Sequence, residues 1–254
     1  AVSPANPVFT NTAPQLNNRP ALVFDGADTG ITLGNLGSFF PTAATLFAVA
    51  AVDDTQYNLF ITLDNSTYWR YSGNGMAYPG TFRQSRIDSY AAMPSSGAHL
   101  FQIESTASTW RQFTNGVAHP LNTTAAYAGG NNYRIGYGQG AGGMTGQIAE
   151  ILAFHRALDS NEMNRVAFYL ADKYALATAY PLPTPQVSNA SGATNVTASS
   201  AWLNGFLQFS GTGDSASVTV YYGTSDPGTN WASWDTNYPF GSQNDGTALS
   251  VQVQ

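Results

Sequence analysis

The chain has 254 residues, of which 43% are hydrophobic and only 9% are charged, against about 25% charged in an average domain. The net charge is −6 and Lys173 is the only lysine, so clustered cations are missing, which argues against a nucleic-acid partner. No cysteine is present, which excludes disulfides, thiolate metal sites and thiol catalysis. No apolar run approaches the ~18 residues of a membrane span, so none is predicted.

The first part of the chain is predicted to be antiparallel β structure, because short apolar runs alternate with clusters of Gly, Asn, Pro and Asp. The continuous apolar run at 45–52 predicts a central strand that is buried on both faces. Asn115 and Gly116 have the sequence of a tight hairpin turn. Further strands are predicted at 21–24, 31–33, 59–63, 67–71, 99–104, 109–113 and from 133.

A strand at 146–158 leads directly into the one predicted helix. Asp159 as the N-cap and Glu162 three residues later have the spacing of a capping box. One apolar face repeats at helical spacing and is predicted to pack against a sheet. Its residues are Met163, Val166, Ala167, Leu170 and Tyr174.

The composition changes after a Pro-rich stretch at 178–186, which predicts a short, stiff linker between two domains, 1–177 and 187–254. The second domain contains four Asp and no Lys or Arg. Alternating runs predict strands at 201–209, 217–222 and 249–254.

Three segments, 20–26, 108–116 and 146–158 with its helix, resemble the laminin-G-like branch of the concanavalin A-like jelly rolls in bacterial surface proteins. The resemblance implies an all-β jelly-roll sandwich with one C-terminal helix. His155 stands where the family often has Asp, which weakens any polar or metal role there. An earlier strand of the family is expected to be missing, so that 21–24 is the first strand.

The second domain resembles a fibronectin type III-like or immunoglobulin-like repeat, on the segments 196–205 and 218–224. A sandwich of this kind normally needs about 100 residues. Because fewer are present, the domain is expected to be truncated or to be completed by another chain.

Catalysis is not expected from this sequence. Jelly-roll glycan hydrolases place two Glu and an Asp along one strand in a Glu-x-Asp-x-x-Glu pattern, which is absent; the only glutamates are Glu104, Glu150 and Glu162. The three histidines, at 99, 119 and 155, are in no nucleophile or zinc motif.

Calcium is a candidate cofactor, because jelly-roll relatives often hold it and carboxylates in turns can converge on a hard cation. The candidate ligands are Asp25, Asp28, Asp53 and Asp54. The alternative is that these residues are ordinary turn formers.

Glycan binding requires aromatic rings beside hydrogen-bonding groups, and the densest such cluster contains Trp69, Tyr71, Tyr78 and Arg83. Strand alternation puts Trp69 and Tyr71 on one face, with Tyr68 and Arg70 on the other. Trp231 and Trp234 are a second candidate, against an alternative role as loop anchors.

These observations predict a non-catalytic protein, secreted or at the cell surface, that acts as a carbohydrate-binding or adhesive module. Its partners are then glycans or neighbouring surface proteins. The alternative is a structural subunit of an extracellular assembly, a homo-oligomer in which neighbours supply edge strands. A glycan-cleaving enzyme is a distant third hypothesis.

Overall fold

The computed structural model describes residues 5–36, 39, 43–53, 58–64, 67–71, 96–119, 133–138 and 142–254, with only the backbone at 58–64 and 67–71. The chain forms two compact units, unit 1 (Ala1–Tyr180) and unit 2 (Pro181–Gln254). Within the described residues, the strands pair antiparallel apart from one isolated bridge and there is one α-helix, which confirms the predicted all-β class with a single helix.

Unit 1 is a two-layer β-sandwich. The larger sheet has the order β1 (Val8–Ala13), β2 (Arg19–Asp25), β13 (Thr145–Phe154), β4 (Ala44–Val52), β7 (Gly97–Ser105), β8 (Trp110–Thr114), β9 (Val117–Ala118). The smaller has the order β3 (Ile31–Gly34), β10 (Tyr133–Ile135), β5 (Asn58–Asp64), β6 (Thr67–Tyr71). A short pair is formed by β11 (Tyr137–Gly138) and β12 (Gly142–Gly143).

Strand β4 is buried on both faces, as its continuous apolar run predicts, and all nine of its residues are buried. Leu46 and its alternate neighbours face one core, which Tyr133 of the smaller sheet also enters. Phe47 and its alternate neighbours face a second core, which contains Leu170 of the helix. The strand is therefore apolar on both faces, without the period-two pattern of a half-exposed strand. Its one polar side chain, Thr45, is buried with its hydroxyl bonded to the Arg156 carbonyl and the Leu158 N–H.

The predicted helix is α1 (Ser160–Tyr174), and its predicted capping box is confirmed. The Asp159 side chain accepts a hydrogen bond from the Glu162 backbone N–H at 2.9 Å, and Glu162 accepts from the Asp159 N–H at 3.0 Å. Ala167, Leu170 and Tyr174 of the predicted stripe are buried against the larger sheet. These contacts close the second face of that sheet.

The predicted turn at Asn115 and Gly116 is present, with φ of 48° and 81° at its two residues. The chain after α1 returns to this turn, where the Ala179 N–H donates to the Asn115 carbonyl at 2.7 Å. The Tyr180 hydroxyl donates to the Gln102 side chain. Ala179 and Tyr180 therefore belong to unit 1, which ends at Tyr180, two residues after the predicted start of the linker at 178.

The expectation that 21–24 is the first strand is wrong, because β1 precedes it and pairs antiparallel with β2, with Phe9 opposite Leu22. β1 has five exposed or half-buried residues among its six, so no buried face imposes an apolar alternation on its sequence. A strand of this kind gives a weak sequence signal.

Unit 2 has β16 (Ala201–Phe209) at its centre, paired with β14 (Gln186–Ser188), β15 (Ala193–Thr194) and β19 (Thr247–Val253). A separate hairpin joins β17 (Ser215–Tyr222) to β18 (Thr236–Asn244). β18 was not predicted, because Pro239 and the left-handed Gly241 interrupt it beside a bulge in the pairing. Leu207 and Leu249 are the only large apolar side chains of unit 2 that are buried.

We expect Gly116→Ala to destabilise unit 1 by about 2 kcal/mol or more, because a left-handed φ strains a non-glycine residue and an added methyl group clashes. A Cβ at Gly116 would lie 2.5 Å from the Tyr180 nitrogen. The matched control is Gly34→Ala, where φ is +76° and no atom lies within 4 Å. Urea midpoints at a constant m-value measure both costs, and equal costs would contradict the close packing of Tyr180 on the turn.

We expect the stability of α1 to depend on acid titration of Glu162. The Arg156 guanidinium donates to the Glu162 carboxylate at 2.6 Å and lowers the pKa of Glu162 to about 2. A lowered folded pKa gives stability that is fully present above about pH 4.5 and is lost as the pH falls towards 2. Because both side chains are exposed to solvent, screening keeps the contribution of this ion pair small.

The measurement compares Glu162→Gln with the native chain by urea unfolding at pH 7 and near pH 2.5. Gln keeps the capping box and removes only the ion pair. The native advantage should be present at pH 7 and largely lost at the lower pH, which lies just above the folded pKa of Glu162. A pH-independent difference would argue against the ion pair as its source.

Candidate functional site

An exposed tryptophan lies on the loop that joins β17 to β18 in unit 2. Trp231 is 67% exposed, at the start of a short 3-10 turn, Trp231–Ser233. Its ring lies beside that of Tyr221 on β17, with 6.4 Å between centroids and 49° between planes. Two adjacent rings, one of them largely exposed, present an apolar surface to solvent, and this pair is therefore a candidate binding surface.

Two polar residues lie near these rings. Asn237 of β18 is directly opposite Tyr221 in the hairpin, so both side chains are on the same face. Asn237 is exposed, and Asp235 precedes it by two residues and is also exposed. We name Tyr221, Trp231, Asp235 and Asn237 the Trp231 platform.

Hydrogen bonds within the loop fix the position of the platform. One Asp235 oxygen accepts from the Thr224 N–H at 2.7 Å and from the Thr224 hydroxyl at 2.9 Å. The Trp234 indole N–H donates to the Gly228 carbonyl at 3.3 Å. Trp234 is therefore a half-buried loop anchor, whereas the neighbouring Trp231 is left free to contact a ligand.

The charge of Asp235 is set by the same hydrogen bonds. The backbone N–H of Thr224, and then its hydroxyl, lower the pKa of Asp235 because they stabilise the ionised form. Asp235 is therefore an anion at neutral pH, and as a ligand contact it accepts hydrogen bonds without donating any.

The platform continues into a cleft between the two sheets of unit 2. The cleft has a volume of about 270 Å³ and is lined by Tyr221 and Trp234 together with side chains of both sheets. Its lining is apolar or neutral, including Leu203, Val218, Val220, Phe240, Leu249, Asn189 and Asn204.

The aromatic cluster predicted in unit 1 is only partly described. Trp69 and Tyr71 are on β6, at the edge of the smaller sheet, in register with Ile61 and Asn58 of β5. Tyr78 and Arg83 lie outside the described residues. A binding role for these four residues stays a prediction.

Two of the predicted calcium ligands, Asp25 and Asp53, are at one end of the larger sheet. Asp25 is in register with Thr145, and the Asp53 N–H donates to the Thr145 carbonyl at 3.2 Å, so the two residues flank β13. One Asp25 oxygen accepts hydrogen bonds from the Ala27 N–H and the Thr29 hydroxyl, which lower the pKa of Asp25.

These contacts are those of an ordinary turn former. Asp28 contributes its carbonyl to the Ala5 N–H, and Asp54 lies outside the described residues. Within the described part of the chain, no three carboxylates or histidines converge to hold a metal. The described residues alone therefore do not make a calcium cage, and calcium binding stays a prediction.

The glutamates are separated by the fold. Glu150 is opposite Val49 and Glu104 is opposite Thr45, so their backbones are about 16 Å apart from the rise and spacing of strands. Glycosidase carboxyl pairs are separated by about 5 to 9.5 Å. The two glutamates thus lie on opposite sides of β4, and their carboxylates share no hydrogen-bond partner among the described contacts.

Glu150 instead joins the larger sheet to α1. It accepts from the Lys173 ammonium at 2.8 Å and from the Tyr174 hydroxyl at 2.9 Å. Burial, followed by this hydrogen bond, raises the pKa of Tyr174 to about 12. The only lysine of the chain therefore has a structural partner.

The histidines have separate surroundings. His99 contacts the Ser96 carbonyl and the Asn115 side chain, whereas His119 contacts the Thr114 hydroxyl at 2.9 Å. Burial lowers the pKa of His119. His155 packs edge-on against Phe39. None of these contacts is with a carboxylate, so the described contacts do not assemble a serine–histidine–aspartate site.

Trp231 and Trp234 were singled out from the sequence, but Tyr221 and Asn237 were not. They meet only because β17 and β18 pair across the loop, and β18 carries the breakers Pro239 and Gly241. The signal available in the sequence was that an aromatic residue, Tyr221, and an amide residue, Asn237, stand on the two sides of the loop that contains Trp231.

No protein-family model matches the sequence, and no curated protein matches it. Among solved structures, the chain is similar to domain 4 of AbnA, a GH43 extracellular arabinanase from Geobacillus stearothermophilus, in complex with arabinotriose. The identity is 14%, the TM-score is 0.50, and the match covers 67% of this chain and 82% of that one. This likeness shows a shared β-sandwich fold.

Two further similar structures are more distant. The CBM40 of Ruminococcus gnavus IT-sialidase has a TM-score of 0.44 at 12% identity, with 58% of this chain and 96% of that chain covered. Trypanosoma rangeli sialidase has a TM-score of 0.41 at 16% identity, with 61% of this chain but only 28% of that chain covered.

Among the described residues, no helix combines the length and the apolar character that a membrane span requires.

Proposed function

We propose that this chain is a non-catalytic carbohydrate-binding protein, secreted or displayed at a cell surface. The observation that carries the proposal is the Trp231 platform, in which an exposed indole and a tyrosine ring lie beside an exposed amide. The three chemical groups that a sugar presents, namely apolar ring faces, hydroxyl donors and hydroxyl acceptors, each find a counterpart there.

The loop geometry favours binding over a purely structural role for Trp231. Binding to a loop that is already ordered costs less conformational entropy than binding that must first order a mobile loop. The bonds from Thr224 to Asp235 and from Trp234 to Gly228 hold the loop without using the Trp231 ring. The Trp231 ring is thus held in place while most of its surface stays exposed.

The fold likeness supports the same proposal, since the similar arabinanase domain is described in complex with arabinotriose. The finer assignments, a laminin-G-like unit 1 and a fibronectin type III-like or immunoglobulin-like unit 2, are part of the proposal. The strand with Trp69 and Tyr71 is a second surface on which unit 1 can bind a glycan.

The proposal that the chain is non-catalytic is supported by its glutamates. Glu150 is bonded to Lys173, and Glu162 is bonded to Arg156 and the helix cap. Glu104 is half-buried, and desolvation raises its pKa although Arg111 opposes the shift. No second carboxylate is positioned beside it among the described contacts.

We expect Trp231→Ala to weaken oligosaccharide binding about tenfold, because removing a stacked ring costs about 1.4 kcal/mol. The matched control is Trp202→Ala, which removes a partly exposed tryptophan (38%) from β16. Trp202 is not among the side chains that line the cleft. Calorimetric titration with arabinotriose and a glycan array measure both variants.

The expected result is binding that is lost in Trp231→Ala and kept in Trp202→Ala, with unfolding midpoints close to native in both. Binding to no glycan by a correctly folded native chain would reject the proposed function. Equal losses in both variants would reject the platform as the site.

A structural subunit is a second candidate function, favoured by one observation. β1 is the edge strand of the larger sheet as described, and its Val8 and Phe9 are 67% and 60% exposed. An edge strand with exposed apolar residues can pair with another chain.

We expect Phe9→Lys to dissociate any such oligomer, because a charged edge residue opposes strand pairing. Val117→Lys is the matched control, since Val117 is 58% exposed on β9 at the opposite described edge. Light scattering across a concentration series measures both. A native chain that stays monomeric at every concentration would reject this second function.

A further inference from the structure

We infer that the ligand of the Trp231 platform is an uncharged sugar, and not a sialylated, uronate-bearing or sulfated one. This inference rests on the proposed function and names the class of glycan that the same site takes. It follows from the charges of unit 2, from the state of Asp235 and from the lining of the cleft.

Unit 2 has no positive side chain. It contains no Lys, Arg or His, and its ionised groups are Asp214, Asp226, Asp235 and Asp245. Recognition of a carboxylate or sulfate relies on charge-assisted hydrogen bonds, mostly from Arg or Lys. An anionic sugar bound at the platform would find no such donor within this unit.

Two of the four aspartates are on the loop that carries Trp231. Asp226 accepts from the Gly228 N–H at 2.7 Å, and Asp235 accepts twice from Thr224. Each carboxylate is thus fixed on the loop by backbone donors. Like charges closer together than the screening length of about 8 Å repel at physiological salt, so an anionic group here is disfavoured.

Neutral hydroxyls suit the same groups. A sugar hydroxyl can donate to the Asp235 oxygen and to the Asn237 carbonyl, and it can accept from the Asn237 amide N–H. The Trp231 and Tyr221 rings supply apolar faces for the C–H groups of a sugar ring. None of these contacts requires a charge on the ligand.

The cleft next to the platform is also lined by uncharged side chains. Apart from the Tyr221 phenol, its lining has no ionisable side chain, and its polar groups include Asn189, Asn204 and Thr219. Because Tyr221 belongs to both the platform and the cleft, a chain of neutral sugars can pass from one to the other. A charged residue of an oligosaccharide would be desolvated there without a partner.

The test uses the full chain and matched oligosaccharides that differ in one charge: lactose against 3′-sialyllactose, and a neutral xylo-oligosaccharide against its glucuronate-substituted form. Arabinotriose is a further neutral probe, and a de-acetylated chito-oligosaccharide is a cationic one. Titrations are made at 50 and 300 mM NaCl with the native chain, Trp231→Ala and Thr229→Lys. Thr229 is exposed on the platform loop and has no assigned role.

We expect at least one neutral probe to bind, with an affinity that changes less than twofold between the two salt concentrations and falls about tenfold in Trp231→Ala. Each acidic partner should bind at least tenfold more weakly than its neutral match. Thr229→Lys should narrow that gap at 50 mM NaCl, because it adds the missing cation.

Three results would overturn the inference. Acidic probes that bind as well as their neutral matches, with loss in Trp231→Ala, reject the uncharged class but leave carbohydrate binding intact. Preference for the cationic probe with strong salt dependence does the same. No binding of any probe rejects both the inference and the proposed function.

Discussion

Burial of β4 on both faces is the constraint on which unit 1 depends. Leu46 faces the core between the two sheets, and Phe47 faces the core beneath α1. Each face must be covered, because an apolar strand left open on one side would lose the free energy of burial. The smaller sheet covers one face and the helix the other, so both layers are consequences of one nine-residue strand.

Polar contacts hold the helix and the segment after it against the rest of unit 1. The capping box at Asp159 and Glu162 starts the helix, and Lys173 ties its last turn to Glu150 on β13. Tyr180 then returns to the turn at Gly116 and to Gln102. Three of the ionisable side chains that the sequence makes most conspicuous, Glu150, Glu162 and Lys173, thus hold the helix in place.

Unit 2 is built differently, with Leu207 and Leu249 as its only large buried apolar side chains and a cleft between its sheets. Its conformation therefore depends on local hydrogen bonds more than on a thick core. The β17–β18 loop obtains that order from hydrogen bonds of Asp235, Asp226 and Trp234. A rigid loop on a small sandwich is a suitable support for an exposed indole.

The sequence alone determined the elements whose signals are local. Continuous hydrophobicity predicted β4, the Asp159–Glu162 spacing predicted the helix cap, and the Asn-Gly pair predicted the turn at 115–116, because each depends on neighbours along the chain. Only the tertiary structure revealed the strands β1 and β18 and the contacts of Tyr221 with Trp231 and Asn237. Those features depend on pairing between distant segments, which leaves exposed strands without an apolar pattern and brings together residues that the linear order keeps apart.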